Sequence, residues 1–137
     1  MAGGVLEFDV GNTALKWRLC HQHGFERGRL PCDEGRVAAL LEGLRPNVLH
    51  ISSVASDDAN AMLRRCADKA AVACRFAQVS ASCGGITNAY DDPLTLGVDR
   101  WLAMIAAKRR VSGDLVIADI GTALTIDVLA ADGVHQG

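Results

Sequence analysis

The 137-residue sequence lacks several patterns that would assign its class directly. Its five cysteines are odd in number and show no C-x-x-C spacing, which argues against a disulfide framework and against a zinc site. No apolar run is long enough to cross a bilayer, and no charged segment followed by an apolar stretch opens the chain. We therefore expect a soluble, cytoplasmic protein.

An excess of charge of one sign is also missing. The 14 basic and 16 acidic residues are interspersed and give a net charge of -2, so neither nucleic acid nor a membrane is expected as a partner. Neither G-x-x-x-x-G-K-[ST] nor G-x-G-x-x-G occurs in the chain. What the sequence does have is a 50% hydrophobic composition, which is enough for the core of a globular domain.

Two short turns with matching surroundings are the most informative feature. The first turn consists of Asp9, Val10, Gly11, Asn12 and Thr13, and the second of Asp119, Ile120, Gly121 and Thr122. Each turn follows one apolar run and precedes another in which apolar residues alternate. This period of two predicts that each turn joins the strands of a hairpin.

The residue types of these turns suit phosphate and a hard cation. Glycine permits a positive φ and a close approach of the backbone to a ligand, while threonine adds a hydroxyl group. An ionised aspartate only accepts hydrogen bonds, so it suits a hydrated Mg²⁺ bound to the phosphates. Lys16 suits either a phosphate contact or the polar face of a strand. One such turn is typical of ordinary hairpins, whereas two in matching context favour a function.

The first half of the chain predicts alternating strands and helices. Strands are predicted over residues 5–10, 14–20, 24–30 and 48–53, with a short one near 75–79. Asp33 and Ser56 are predicted to cap two intervening helices. The inward face of the second helix is predicted to carry Met62, Leu63, Cys66 and Ala70.

A loop rich in Ser, Gly, Asn and Asp is predicted over residues 80–93, and a third helix follows it. The apolar stripe of that helix is predicted to be Val98, Leu102, Ile105 and Ala106. The order β-β-β-α-β-α-β-α combines an antiparallel start with parallel crossovers. It predicts an α/β fold with a mixed sheet flanked by helices.

This order fits half of an actin-like, ribonuclease H-like kinase fold, in which two related domains each contribute a phosphate-binding hairpin. We therefore predict a first domain over residues 1–113 and the start of a second over 114–137. The apolar face of Leu124, Ile126 and Val128 has too few partners in the sequence that follows. A longer parent protein with about a hundred further residues is expected on the usual size of a domain.

Three blocks of the chain carry a resemblance to a known family. They are Asp9 to Thr13 with Lys16, then Tyr90 with Gly97, Val98, Asp99, Arg100 and Trp101, and then Asp119 to Ala123. In order and spacing they resemble the first half of the type III pantothenate kinases, relatives of the Bvg accessory factor in the actin-like kinase superfamily. The resemblance spans nearly the whole chain.

The resemblance implies ATP-dependent phosphorylation of pantothenate to 4'-phosphopantothenate, the first step of coenzyme A biosynthesis, by a homodimer. It implies that ATP phosphates and Mg²⁺ are contacted by Asp9, Val10, Gly11, Asn12, Thr13 and Lys16. It implies a pantothenate pocket lined by Tyr90, Gly97, Val98, Asp99 and Arg100, with Asp99 as the proton acceptor. It also implies that Asp119 helps hold a monovalent cation, K⁺ or NH₄⁺, and that Gly121 and Thr122 belong to the second phosphate loop.

Three of the acceptor-site residues also have a purely structural interpretation. Asp99 is typical of the first turn of a helix, where a carboxylate favours the helix dipole. Arg100 suits either the carboxylate of pantothenate or an ion pair with Asp91 or Asp92. Tyr90 suits either the pocket or an anchoring role in its loop.

Two other functions are compatible with the sequence. One is a regulatory protein that acts through protein contacts, as the accessory-factor relationship suggests. The other is a kinase of another small alcohol, such as a sugar, on the same fold. The presence of all three aspartates, Asp9, Asp99 and Asp119, favours catalysis over binding alone.

Overall fold

The structure is a computed structural model that describes residues 3–121 and 123–137. Its contacts divide the chain into two compact units, one ending at Ala77 and the other beginning at Gln78. The domain division predicted at residues 113 and 114 concerns the complete fold and stays a prediction. In the part of the chain described, no helix combines the length and the apolar character needed to cross a membrane.

The first unit is built on a five-stranded sheet. Its strands are β1 (Val5–Val10), β2 (Leu15–His21), β3 (Gly24–Leu30), β4 (Val48–Ser53) and β5 (Ala73–Phe76), in the order β3-β2-β1-β4-β5. The first three strands pair antiparallel, whereas β4 pairs parallel with β1 and β5 pairs parallel with β4. The predicted mixed α/β sheet, with its antiparallel start and parallel crossovers, is therefore confirmed.

Two helices make the parallel crossovers, α1 (Glu34–Leu44) and α2 (Asp57–Lys69). The carboxylate of Asp33 accepts a hydrogen bond from the backbone N–H of Arg36 at 3.0 Å. The hydroxyl of Ser56 accepts one from Ala59 at 3.3 Å. Both predicted N-caps are confirmed, and each satisfies a backbone donor that the helix leaves unpaired.

Both helices contribute to one core on one face of the sheet. Alternating residues of β1 enter this core, which also takes side chains from α1 and α2. From α2 the buried residues are Met62, Leu63, Cys66 and Ala67. The prediction that Ala70 faces inward is wrong, because α2 ends at Lys69 and the exposed Ala70 is its C-cap. Ala67, four residues after Leu63, takes the inward place instead.

One glycine of the sheet is required by a close approach. Gly28 lies opposite Trp17 in the β2–β3 register. A Cβ atom at residue 28 would lie 2.7 Å from three atoms of the Trp17 indole. Because Gly28 has no side chain, the Trp17 ring can lie directly against β3. The Trp17 side chain also packs against the core.

The second unit contains a short hairpin, one long helix and a longer hairpin. The elements are β6 (Ser82–Cys83), β7 (Ile86–Thr87), a 3-10 turn (Pro93–Thr95), α3 (Val98–Arg110), β8 (Leu115–Ile120) and β9 (Leu124–Leu129). The stretch predicted as a loop over 80–93 thus carries the small β6–β7 hairpin. The strand predicted near 75–79 ends earlier, because β5 spans Ala73–Phe76.

The helix α3 presents a different apolar face from the predicted one. Its buried residues are Val98, Trp101 and Met104, and Ile105 packs against the cluster that contains Trp101 and Met104. Leu102 and Ala106 were predicted to face inward and are exposed, so that part of the prediction is wrong. The largest apolar side chain, Trp101, determines which face is buried because it removes the most surface from water.

The two faces of the β8–β9 hairpin differ. One face exposes the apolar residues Val116, Ile120, Leu124, Ile126 and Val128. Leu124 is 61% exposed and Ile126 54%, which agrees with the prediction that this face has too few partners within residues 3–121 and 123–137. The opposite face carries Leu129, which is fully buried, and the buried Asp127. This buried carboxylate belongs to the candidate site, where it pairs with Arg100.

Candidate active site

The first predicted turn joins β1 to β2. Asp9 and Val10 end β1, and Gly11, Asn12 and Thr13 lie in the loop of this hairpin. The N–H of Gly11 donates to the carbonyl of Ala14 at 3.1 Å, and Asn12 and Thr13 are exposed at its tip. The expectation of a positive φ is wrong at Gly11. A Cβ atom there would meet only the Ala14 carbonyl oxygen, at 3.7 Å. The glycine therefore leaves the backbone uncovered rather than permitting an unusual conformation.

Asp9 and Lys16 lie opposite each other near the loop end of the two strands. Lys16 Nζ is 3.7 Å from Asp9 Oδ2, and the two side chains are 70% and 58% exposed. An ion pair this open contributes little to stability and is easily exchanged for another partner. Val10, by contrast, is fully buried in the core, and its carbonyl accepts a hydrogen bond from the N–H of Val54 at 3.0 Å.

The second turn repeats part of this pattern in the other unit. The N–H of Gly121 donates to the carbonyl of Ala123 at 3.0 Å. Gly121 also has no positive φ, and a Cβ atom there would meet no described atom within 4 Å. Asp119 is exposed near the end of β8. Thr122, predicted to belong to this turn, lies outside the described residues.

Each of the carboxylates of the two turns, taken by itself, is a single oxygen ligand of the kind that suits a cation with water and phosphate as its other ligands. Among residues 3–121 and 123–137, no group of three or more His, Cys, Asp or Glu side chains is placed to hold a metal ion. Mg²⁺ commonly takes one or two carboxylates and completes its shell with water and substrate phosphates. Asp9 fits that kind of site, and it does not fit a metal centre built by protein ligands alone.

Asp99 lies in the first turn of α3, whose N-cap is Gly97. Its Oδ1 accepts a hydrogen bond from the backbone N–H of Arg100 at 2.8 Å. A Cβ atom at Gly97 would lie only 2.6 Å from that same oxygen. The glycine therefore leaves the space that the carboxylate occupies. The neighbouring Val98 is buried.

Arg100 has a partner that the sequence analysis did not name. Its Nε donates to Asp127 Oδ2 at 3.0 Å and its Nη2 to Asp127 Oδ1 at 2.6 Å. The predicted alternative of an ion pair with Asp91 or Asp92 is therefore wrong. Asp92 instead accepts from the N–H of Leu94 at 3.1 Å, at the start of the 3-10 turn. Arg100 pairs with the buried Asp127 because that carboxylate accepts two hydrogen bonds from the guanidinium at once.

Tyr90 and His135 complete this cluster. Arg100 Nη1 donates to the Tyr90 hydroxyl at 3.3 Å. The Tyr90 ring stacks on the His135 ring, with centroids 5.9 Å apart and planes inclined by 17°. His135 Nε2 lies 2.9 Å from Asp127 Oδ1, and His135 is fully buried. The structure thus brings the predicted Tyr90 and Arg100 together with two residues that sequence reasoning missed.

The charges of this cluster stabilise one another. Burial alone would raise the pKa of Asp127, but hydrogen bonds from Arg100 and His135 outweigh it and leave that pKa below its usual value. The hydrogen bond with Asp127 in turn raises the pKa of Arg100. At neutral pH the pair is therefore fully charged.

The hydrogen bonds of His135 also fix its tautomer. The backbone N–H of Ala89 donates to His135 Nδ1 at 3.4 Å, so this nitrogen is the acceptor. The proton of the neutral imidazole is then on Nε2, where it donates to Asp127.

Comparison with known proteins gives a consistent result. The sequence model of a family described as "Type III pantothenate kinase" matches residues 5–137. Proteins with that name are similar in Xanthomonas oryzae pv. oryzae (strain PXO99A), at 36% identity over 95% of this chain and 54% of the relative, and in Ectopseudomonas mendocina (strain ymp), at 36% identity over 97% and 56%. A third, from Pseudomonas putida (strain F1), is 37% identical over 97% of this chain and 56% of its own.

A solved Ppx/GppA phosphatase from Aquifex aeolicus is also similar, with a TM-score of 0.47 and 10% identity over 94% of this chain and 48% of that one. A likeness at this level supports no argument about function. The chain spans about half the length of the curated relatives that it matches. The family match over residues 5–137 and the relatives at 36–37% identity show that the chain belongs to the type III pantothenate kinase family.

Proposed function

We propose that the protein phosphorylates pantothenate with ATP, giving 4'-phosphopantothenate in the first step of coenzyme A biosynthesis. Membership of the family supports this activity. The observation that carries it is the arrangement at the start of α3. There Asp99 has a partly exposed carboxylate, and the next residue, Arg100, is held by the buried Asp127. A base and a fixed cation on adjacent residues suit an acceptor that has both a hydroxyl and a carboxylate.

Asp99 is proposed as the general base. Its carboxylate would accept the proton of the primary hydroxyl of pantothenate as the hydroxyl oxygen attacks the γ-phosphate of ATP. General-base assistance of this kind contributes about 10²- to 10⁴-fold to the rate. The remaining acceleration in phosphoryl transfer comes from positioning and electrostatic stabilisation, for which no covalent nucleophile is needed.

The first turn is proposed to bind ATP phosphates. The uncovered backbone at Gly11 and the exposed side chains of Asn12 and Thr13 offer hydrogen-bond donors. Lys16 would exchange its open ion pair for phosphate oxygens, which frees Asp9 for Mg²⁺. When bound, Mg²⁺ neutralises charge on the phosphates and orients them. Val10 is proposed to support this turn from the core, where it is fully buried.

The second turn is proposed to supply a further phosphate contact through Gly121 and Thr122. Its uncovered backbone at Gly121 supports this role. Asp119 is proposed to help hold the monovalent cation, K⁺ or NH₄⁺, and its exposed carboxylate is a suitable oxygen ligand.

Arg100 is proposed to bind the carboxylate of pantothenate. A guanidinium has five N–H donors, of which Asp127 takes two and Tyr90 takes one. Two donors are left, one on each terminal nitrogen, and a pair of this kind recognises a carboxylate in bidentate fashion. Tyr90, with Gly97 and Val98 beside Asp99, would complete the pocket.

The test is phosphate transfer to pantothenate by the full-length protein, with Mg²⁺ and K⁺ present. Wild type should transfer phosphate, and Asp99→Asn should reduce kcat by about 10²- to 10⁴-fold while retaining ATP binding and the unfolding transition. A panel of other small alcohols separates this activity from a different metabolite kinase. Wild type that transfers no phosphate to pantothenate, or Asp99→Asn at full rate, would refute the proposal.

Two further parts of the proposal concern the whole protein. We propose a homodimer located in the cytoplasm, as the family resemblance implies. Sedimentation of the purified full-length protein tests the first statement, and a monomer at enzyme-assay concentration would contradict it. Cell fractionation tests the second.

A further inference from the structure

We propose that Asp127 and His135 are positioning residues of the acceptor site, which hold Arg100 and Tyr90 in the orientation that recognises a carboxylate. The inference rests on the proposed function and extends it to two residues outside the motifs that carry the resemblance. Both lie in the second unit, as do Arg100 and Tyr90.

Asp127 is built to hold one orientation of Arg100. Its carboxylate is 2% exposed and accepts three hydrogen bonds, two from Arg100 and one from His135. Water therefore cannot replace these partners, and an ionised carboxylate in such a place depends on them. Because the two bonds from Arg100 lie side by side, they fix the plane of the guanidinium as well as its position.

The N–H donors of Arg100 that Asp127 and Tyr90 leave unused belong to a side chain that is not fully buried. Its side chain remains 20% exposed although its partner is buried. Of its five N–H groups, the two that neither Asp127 nor Tyr90 takes are one on Nη1 and one on Nη2. The hydroxyl of Tyr90 accepts from Arg100, so its own proton is free to donate to the same ligand.

His135 restrains both sides of the cluster. Its Nε2–H group donates to Asp127, while its ring stacks on Tyr90. The backbone N–H of Ala89 prevents the other tautomer, which would turn a lone pair toward the carboxylate. His135 therefore acts on the substrate only through its two neighbours.

The experiment compares two acceptors in the full-length protein: pantothenate, and pantothenol, in which an alcohol replaces the carboxylate. Asp127→Asn should lower kcat/KM for pantothenate by about 10- to 100-fold, mainly through KM, because Arg100 loses its fixed orientation. It should leave kcat/KM for pantothenol unchanged. If Asp127 had a merely structural role, the substitution would lower the amount of folded enzyme. The apparent kcat/KM would then fall by the same factor for both acceptors.

Matched variants sharpen the comparison. Asp114→Asn removes an exposed carboxylate of the same unit that accepts from the N–H of Ala131, and it should keep the wild-type ratio of the two substrates. His135→Gln retains a donor for Asp127, whereas His135→Phe retains only a ring against Tyr90. The ratio should therefore fall less in His135→Gln than in His135→Phe.

Calorimetric binding of the two acceptors separates this inference from the proposed function. Wild type that binds pantothenate in preference to pantothenol but transfers no phosphate would refute the activity, while loss of that preference in Asp127→Asn would still support the positioning role. The inference is overturned if wild type has no such preference. It is equally overturned if Asp127→Asn and both His135 variants keep the wild-type ratio.

Discussion

The substitution Gly97→Ala tests whether the space at the start of α3 matters for catalysis. The new Cβ atom would lie 2.6 Å from Asp99 Oδ1 and 3.8 Å from its Cγ. One of the two groups must therefore move. The carboxylate is the end of a flexible side chain, so it will turn away at small cost and lose its 2.8 Å hydrogen bond from the N–H of Arg100.

The effects on stability and on rate should differ strongly. Gly97 has φ −61° and ψ 133°, which alanine adopts without strain. Alanine is a poorer N-cap than glycine but restricts the unfolded chain, and these opposing effects leave a net change within about 1 kcal/mol. Displacement of a catalytic group by about 1 Å can cost on the order of 10²-fold in rate. We expect kcat to fall by about that factor.

The assay is steady-state phosphorylation of pantothenate, with urea unfolding measured in parallel. Gly43→Ala is the control, since a Cβ atom at Gly43 meets nothing within 4 Å, and its kcat should equal that of wild type. In an Asp99→Asn background, Gly97→Ala should lower kcat no further, because its effect on kcat acts through the carboxylate. A wild-type kcat in Gly97→Ala, or an undiminished effect in the double variant, would refute this reasoning.

Three other predictions concern stability and reactivity. Gly28→Ala should destabilise the protein by about 1–3 kcal/mol in urea unfolding, because its methyl group would overlap the Trp17 ring; an unchanged midpoint would contradict that packing. Since the folded-state pKa of Asp127 is lowered, its contribution to stability is present above the unfolded value of about 3.9 and is lost as the pH falls through the folded value. Wild type should therefore lose more unfolding free energy than Asp127→Asn below about pH 4; parallel acid profiles would contradict this. Alkylation of the native protein should modify the exposed Cys83 first and Cys66 last, since Cys66 is 1% exposed and burial raises its pKa; peptide mapping over time measures the order, and early modification of Cys66 would show that it is accessible.

Local patterns were sufficient to predict most of the elements. Residues 5–10 and 24–30 form strands with the predicted bounds, and Asp33 and Ser56 cap the predicted helices. These features depend on alternation and on side-chain groups within a few residues of the backbone that they serve. Such short-range physics is visible in a sequence read one segment at a time.

The errors arose where several apolar faces compete. In α3, residues 102 and 106 lie at a helical spacing, but so do Trp101 and Met104, and only the packing of the second unit decides between them. Gly11 illustrates a different limit. Its residue type allows a positive φ, yet the four-residue loop closes without one.

The motifs predict some residues of the candidate site, but they do not include the residues that hold Arg100. Asp99, Arg100 and Tyr90 are marked by the resemblance, but the partner of Arg100 is 27 residues away along the chain. One signal was available: Asp127 is charged, and alternation places it on the same strand face as Leu129. A charge on a buried face needs a partner of opposite sign, and that requirement could have directed attention to Arg100.

The two candidate regions differ in how firmly their charges are held. The pair of Asp9 and Lys16 is open to solvent at 3.7 Å, so exchanging it for phosphate and Mg²⁺ costs little. The pair of Arg100 and Asp127 is bidentate, with a carboxylate that is 2% exposed, so breaking it would leave a buried charge unpaired. In the proposed reaction, the open pair lies where the hydrated polyphosphate would bind. The acceptor would be selected through a group whose orientation is already set, so acceptor specificity should depend on Asp127 more than on Asp9 or Lys16.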